Sequence, residues 1–418
     1  MKVFILAGEP SGDRLGGALM AGLKELCPEV TFDGIGGPQM MAEGLESRFD
    51  MDELSVMGLA EILPKYRALM ARINETAQAV IETKPDVLIT IDSPDFSLRV
   101  ARKVKEKSDI RTVHYVAPTV WAWRPGRAEK MARSVDHVLA LFPFEPPYME
   151  AAGMACDFVG HPVVAEPVAD DAAAASFRAE HLLADAPLLL ALPGSRRGEV
   201  SRLAPVFQQV VARLVEAEPS LRVVVPAAAP VAALVKQVTR NWAGNPLVLD
   251  PRDQSVEAFT ASKRAAFRAA DVALAASGTV SLELAAVNTP MVIAYDMNWI
   301  SRQIIGRMLR VDTVTLVNLV SETRVVPEFI GANCRPGPIA EGVLQVLRAP
   351  GAQKDAMALT MARLGQGGGG SRPAGRAGGA GAALRAVSPG GSSRRRKSGC
   401  FQDHRKHRPA RERRLPRR

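Results

Sequence analysis

The sequence predicts an α/β protein of two doubly wound parallel sheets. Three observations carry that prediction: short apolar runs recur through both halves, each is followed by a Gly- or Pro-containing turn, and each turn leads into apolar residues at helical spacing. The 418 residues, 47% hydrophobic and 23% charged, suffice for two cores of about 100–200 residues each, which excludes a small stapled scaffold.

The first run, KVFILA (2–7), stops at GEPSGD, and Leu15, Leu19, Leu23 and Leu26 then follow at helical spacing, giving strand, turn and helix. DVLITID (86–92), RTVHYV (111–116), HVLALF (137–142) and CDFVGHP (156–162) repeat the alternation. An Ala/Asp-rich segment, 165–185, separates these from a second series: PLLLALPGSRRGEV, LRVVVPAA, PLVLD, DVALAASGTVSLELA and TPMVIAY. The reading is a first α/β domain over 1–168, a second over 184–366, and a cleft between them, with ligands expected beyond the carboxyl ends of the strands.

From 367 onward the text is Gly- and Arg-rich, with too little apolar periodicity for a core, and is expected to be disordered. Of the 53 basic and 44 acidic residues, 15 and 2 lie in 371–418, so residues 1–370 carry 38 and 42, a net charge of −4. The basic balance belongs to the tail. It reads either as a polyanion-binding patch or as a non-native extension such as a shifted reading frame, and no nucleic-acid partner is expected for the folded part.

The four cysteines lie far apart without a CxxC pair, which points to a reducing compartment and to no zinc ribbon. The first apolar run breaks at Gly8 without a cleavable signal pattern, and no run of about 18 apolar residues follows. The expectation is a cytoplasmic protein that does not span a membrane.

The chemistry-bearing motifs stand where strands end. GEPSGD (8–13), with Ser11 and Asp13, suits an anion or a hydroxyl-rich ligand, or Asp13 is simply a cap. In IDSPDF (91–96), Asp92 is either a general base facing the cleft or a cap of the next helix; Asp95 reads as a cap. HYVAPTVWAWRPGR (114–127) crowds His114, Trp121, Trp123 and two arginines into one loop, which suits a sugar or phosphate clamp or an interdomain packing wedge. His161 in FVGHP is a hinge residue or a catalytic one.

LPGSRRGEV (192–200) would place Arg196 and backbone donors at a helix N-terminus, as a diphosphate requires. ASGTVSLELA (276–285) repeats the arrangement, with Ser277, Gly278 and Thr279 as phosphate donors and Glu283 as an acceptor of ribose hydroxyls. Two such turns in one domain predict a nucleotide-sugar pocket. No metal-ligand set is apparent, so the leaving diphosphate would rely on arginine and helix dipoles. VMGLAEILPKYRALMARI (56–73) puts Ile62, Leu63, Tyr66, Leu69 and Met70 on one helical face with Lys65, Arg67 and Arg72 nearby, either an interfacial helix or a core-facing stripe.

Across residues 1–365, the motifs AGEPSGDRLGGAL, GIGGPQM, ELSVMGLAEILP, PDVLITIDSPDF, HYVAPTVWAWRPGR, LFPFE, FVGHP, LPGSRRGEV, ASGTVSLELA and PMVIAY resemble, in order, those of the lipid-A-disaccharide synthases. These are inverting glycosyltransferases of the GT-B fold. The resemblance implies condensation of UDP-2,3-diacylglucosamine with 2,3-diacylglucosamine 1-phosphate into the β-1,6-linked disaccharide 1-phosphate, releasing UDP without a cofactor. It makes 1–168 the acceptor and lipid domain and 184–366 the donor domain.

By the same resemblance Asp92 matches the base that takes the proton of the acceptor 6-hydroxyl, and Arg196 holds the diphosphate. Ser277, Gly278, Thr279 and Glu283 line the UDP site, and Asn318 in LVNL matches a polar donor-site position. Ser11, Asp13 and His114 are expected among the substrate-binding residues without a particular role. Residues 56–73 become an acyl-chain and inner-membrane surface, with the protein cytoplasmic and peripheral. In the family the chain ends with helices that pack back across the domains and dimers exchange C-terminal segments; the Gly/Arg-rich end departs from that pattern, and a homodimer is left open. Another GT-B UDP-sugar enzyme, such as a UDP-N-acetylglucosamine epimerase, is the alternative enzyme reading.

Overall fold

The computed structural model describes residues 1–54, 62–121, 126–183, 186–297, 311–368 and 376–387. Two parallel six-stranded sheets stand in tandem. The first contains β1 (Lys2–Ala7), β2 (Thr31–Ile35), β3 (Val87–Ile91), β4 (Arg111–Tyr115), β5 (His137–Ala140) and β6 (Ala155–Phe158), in the order β2-β1-β3-β4-β5-β6. The second contains β7 (Leu188–Leu192), β8 (Arg222–Pro226), β9 (Leu247–Leu249), β10 (Val272–Ala275), β11 (Met291–Tyr295) and β12 (Glu328–Ile330), in the order β12-β11-β10-β7-β8-β9. The predicted fold class is therefore the observed one. β2 and β12 are the strands absent from the apolar runs named above, since TFDGI is buried only at its end and EFI only in part.

Alternation along the strands sorts the cores. Leu188, Leu190 and Leu192 of β7 join the core that runs along the first sheet, while Leu189 and Ala191 face the opposite core, which is built on α8 (Arg197–Ala217). The helices that follow strands in the first half are α1 (Pro10–Leu26), α2 (Pro38–Ala42), α3 (Ile62–Thr83), α4 (Pro94–Lys105), α5 (Gly126–Met131) and α6 (Pro146–Ala151). In the second half, α9 (Ala232–Thr239), α10 (Val256–Ala269) and α11 (Val280–Ala286) follow α8.

The Ala/Asp-rich connection contains its own helix, α7 (Asp171–Glu180), capped by Asp170, whose carboxylate accepts from Ala173 N at 2.8 Å. α7 is fastened to the second half: Arg178 donates to the Ala269 carbonyl and pairs with Asp271 at 2.8 Å. Near the end of the second half, two helices, Pro336–Arg348 and Gly351–Arg363, are separated at Pro350, which lacks the N–H that would continue the first.

Within the segment after 367, residues 376–387 form a helix seated on α1. Gly379, Ala380, Ala382 and Ala383 are buried there, with Gly379 beside Leu19 and the Tyr115 hydroxyl. Small side chains let the two helix backbones approach closely, so the contact needs no bulky apolar stripe, the feature whose absence had suggested disorder. Residues 388–418 lie outside the described residues.

Candidate active site

Each sheet reverses its winding at one place, and the two reversals define the site. In the first sheet the reversal lies between β1 and β3, so the turns after them, GEPSGD and IDSPDF, flank it. In the second it lies between β7 and β10, and LPGSRR and ASGTV flank it. Crevices at such switch points, beyond the carboxyl ends of the strands, are where doubly wound sheets bind ligands.

At the second switch point the two turns enclose one cavity of about 470 Å³, lined by Ser195, Arg196, Ser277, Gly278, Thr279 and Glu283 among others. Five predicted site residues thus meet in one space. Gly194 and Gly278 have φ of +120° and +146°, values that side chains rarely adopt, and a Cβ on Gly194 would lie 2.6 Å from Glu199 Cβ. Glu199 closes the turn from within: one carboxylate oxygen accepts from Ser195 N at 3.1 Å and Arg196 N at 3.3 Å, and the other meets Arg196 Nη1 at 3.3 Å. The turn's donors are thus satisfied by an anionic side chain of the protein itself, as in a capping box.

Glu283 does not stand alone either. Its carboxylate binds Lys263 Nζ at 2.7 Å, and the ammonium lies 5.0 Å from the centre of the Phe267 ring. Sequence reading missed Lys263 and Phe259, although Phe259, Lys263 and Phe267 recur at i, i+4 and i+8 on α10 and so share one face of it. Asn318 is placed elsewhere. It is buried, donates to the Val326 carbonyl at 2.9 Å and to Thr313 Oγ1 at 3.2 Å, and accepts from Val326 N at 3.0 Å. Asn318 therefore pins a loop and does not line the donor cavity, which corrects its expected role.

At the first switch point Asp92 follows β3 with φ of +48°, Ser93 follows with +43°, and Val116, after the neighbouring β4, has +84°. Val116, being β-branched, is a true outlier there, and three non-glycine residues at positive φ on adjacent strand ends mark a strained edge. The strain is held by the ladder, since Asp92 N donates to the Tyr115 carbonyl at 3.1 Å and Val116 N to that of Leu139 at 3.0 Å. Asp92 is half-buried, and among the described residues no hydrogen bond or ion pair engages its carboxylate. Ser93 is the N-cap of α4, so Asp92 is not; Asp95 lies exposed in the first turn, where it meets the helix dipole without capping.

Ser11 is exposed in the first turn of α1, beside the switch point. Asp13 is buried, and its carboxylate accepts from Gly37 N at 2.8 Å, Gln39 N at 2.9 Å and Met40 N at 3.0 Å. It caps α2 from a distance and ties the GIGGP loop to α1, a structural task that corrects its expected contact with substrate. His114 is also corrected. It lies buried within β4, with Nδ1 2.7 Å from Thr90 Oγ1, and burial lowers its pKa to about 4, so it is neutral and sealed from the cleft.

His161 is likewise a packing residue. Burial, with Arg14 nearby, lowers its pKa to about 4; its ring tilts against Phe142, Nδ1 accepts from Val163 N at 3.2 Å, and its backbone N–H reaches the Leu364 carbonyl at 3.3 Å. Trp121 is buried edge-on against Phe144, both rings belonging to the first half, whereas Trp123 and Arg124 lie outside the described residues. Leu69 and Met70 are half-buried and pack against the core of the first sheet. The side chains of Ile62, Leu63 and Tyr66 lie outside the described residues.

A family model described as lipid-A-disaccharide synthetase matches residues 3–367. The lipid-A-disaccharide synthase of Ruegeria pomeroyi is 66% identical over 368 residues, 88% of this chain and 92% of that one. The enzyme of the same name from Rhodospirillum centenum is 45% identical over 362 residues, covering 85% and 87%. Among solved structures, a UDP-GlcNAc 2-epimerase from Neisseria meningitidis bound to UDP-GlcNAc superposes with a TM-score of 0.57 at 12% identity, covering 93% of this chain and 99% of that one. MnaA of S. aureus, solved with UDP, gives 0.57 at 12%, covering 92% and 94%. At that identity the likeness is one of fold, and the epimerase alternative has nothing more behind it.

Proposed function

The chain belongs to the lipid-A-disaccharide synthetase family, and from that premise we propose how its two switch points divide the reaction. It is a glycosyltransferase that condenses UDP-2,3-diacylglucosamine with 2,3-diacylglucosamine 1-phosphate and releases UDP. The donor occupies the cavity of the second sheet. Arg196 and the N–H groups of the Ser195 turn take the diphosphate when it displaces Glu199, Ser277 and Thr279 add hydroxyl donors, and Glu283, steadied by Lys263, accepts from the ribose.

Asp92 is the base. What supports it is a half-buried carboxylate without a partner among the described residues, held at a strained strand end on the acceptor side. The acceptor 6-oxygen attacks the anomeric carbon, its proton passes to Asp92, and the bond from that carbon to the diphosphate oxygen breaks with inversion. Negative charge then grows on the β-phosphate, where Arg196 and the turn stabilise it.

Both substrates carry acyl chains, so the reaction runs at the inner-membrane surface, with the amphipathic sequence 56–73 as the entry for the chains. Among the described residues no helix is long and apolar enough to cross a membrane. The observation that carries the reading is the meeting of the Ser195 and Ser277 turns in one cavity. The test is UDP release, which is expected only when both acylated sugars are supplied; conversion of unacylated UDP-N-acetylglucosamine into its C2 epimer without an acceptor would favour the epimerase reading instead.

A further inference from the structure

A second cavity, of about 310 Å³, opens beside the donor pocket, and its walls come from both halves of the chain. Arg14 of α1 and Glu166 of the connecting segment form one side; Lys263 and Arg264 of α10 and Glu283 of α11 form the other. Phe259, Lys263 and Glu283 line both cavities, so the two spaces share a wall. The charges divide unevenly. Arg14 meets Glu166 at 3.2 Å and Lys263 meets Glu283 at 2.7 Å, whereas Arg264 has neither a hydrogen bond nor an ion pair among the described residues. Three cations therefore face two carboxylates, and the Arg14 guanidinium, largely exposed, is free to turn.

An excess of guanidinium in a half-enclosed space suits a phosphate monoester, a dianion at neutral pH whose oxygens match the guanidinium fork. The reaction proposed above supplies one, because the acceptor sugar carries a phosphate on C1, which the ring oxygen joins to the carbon bearing the attacking 6-hydroxymethyl group. The donor pocket cannot seat that group while a diphosphate occupies it. Arg14 also lies near the acceptor edge: the turn that precedes it packs on the Asp92 loop so tightly that a Cβ on Gly8 would come 2.8 Å from Ser93 Oγ. Resting on the glycosyltransferase reading, we propose that Arg14 and Arg264 form the subsite for the acceptor's 1-phosphate, and that Glu166 holds Arg14 until the phosphate takes over its ion pair.

The test compares kcat/KM for 2,3-diacylglucosamine with and without its 1-phosphate, in the full chain and in Arg14→Gln, Arg264→Gln and Glu166→Gln variants. Wild type is expected to prefer the phosphorylated acceptor, and each arginine variant to lose about tenfold of that preference through acceptor KM. UDP affinity and donor KM should stay at wild-type values, which also shows that the variants are folded. Glu166→Gln should lower acceptor KM or leave it unchanged, since it removes a competitor of the phosphate. Arginine variants that keep the full preference would overturn the proposal. So would equal impairment of Arg14→Gln and Glu166→Gln, the signature of a simple latch between the halves. Failure of the wild type to turn over either acceptor would instead overturn the glycosyltransferase reading, a result separate from these.

Discussion

At the switch point of the second sheet, the polar groups that line the cavity are backbone N–H donors, hydroxyls, the Arg196 guanidinium, the Lys263 ammonium and the Glu199 and Glu283 carboxylates, set around turns that Gly194 and Gly278 keep open. At the matching edge of the first sheet, Asp13, His114 and His161 are all turned inward onto the protein itself, and Asp92 is left as the acid group at the strand end. The topology is shared, but the demands differ. Holding a diphosphate requires many weak donors, which a local turn provides. Moving one proton requires a single carboxylate fixed in place, and the buried groups around Asp92 supply that rigidity.

The sharpest way to break the comparison is Asp92→Asn. If the first edge carries chemistry and the second carries binding, kcat falls by about 10²–10⁴, the usual contribution of a general base, while UDP affinity by calorimetry is retained. Parallel loss of both would merge the two edges into one function. Asp13→Asn sharpens the structural side. The amide presents an N–H₂ where three backbone N–H groups need acceptors, so stability should drop by about 2–3 kcal/mol in urea titration, with kcat of the folded protein kept. A protein of unchanged stability that lost acceptor turnover would return Asp13 to the substrate.

The same contrast explains what could be read from the sequence. Arg196, Ser277, Gly278, Thr279 and Glu283 were legible because a strand, a tight turn and a helix N-terminus within about ten residues determine where their donors point. Asp13, His114 and Asn318 were legible as polar residues near the right strand ends, but their partners lie 24 to 27, 24 and 5 to 8 residues away. Only the packed fold shows whether such a side chain turns to the cleft or to its neighbours. The helix at 376–387 was missed for another reason: its contact with α1 rests on Gly and Ala, and a periodicity argument weighs bulky residues. Lys263 was within reach through its spacing with Phe259 and Phe267, had α10 been read as a face of the pocket.

The smallest effect concerns His114, whose neutrality separates a sealed structural group from a ligand-facing one. Folded, its pKa is lowered to about 4 by burial, against about 6.5 in an unfolded chain. Between those values the unfolded chain binds the extra proton, so the stabilisation is fully present above about pH 6.5 and is lost as the pH falls toward 4. Acidification from pH 7.5 to 5.5 should therefore cost about 1 kcal/mol through this residue. His114→Asn, which keeps a polar partner for Thr90, should show a correspondingly smaller loss in urea midpoint over the same interval. His161, lowered to about 4 as well, still contributes its own share in that variant, so the acid sensitivity is reduced and not abolished. An identical acid loss in both proteins would mean that the imidazole takes up its proton without penalty, and therefore that it meets solvent or a ligand at the cleft.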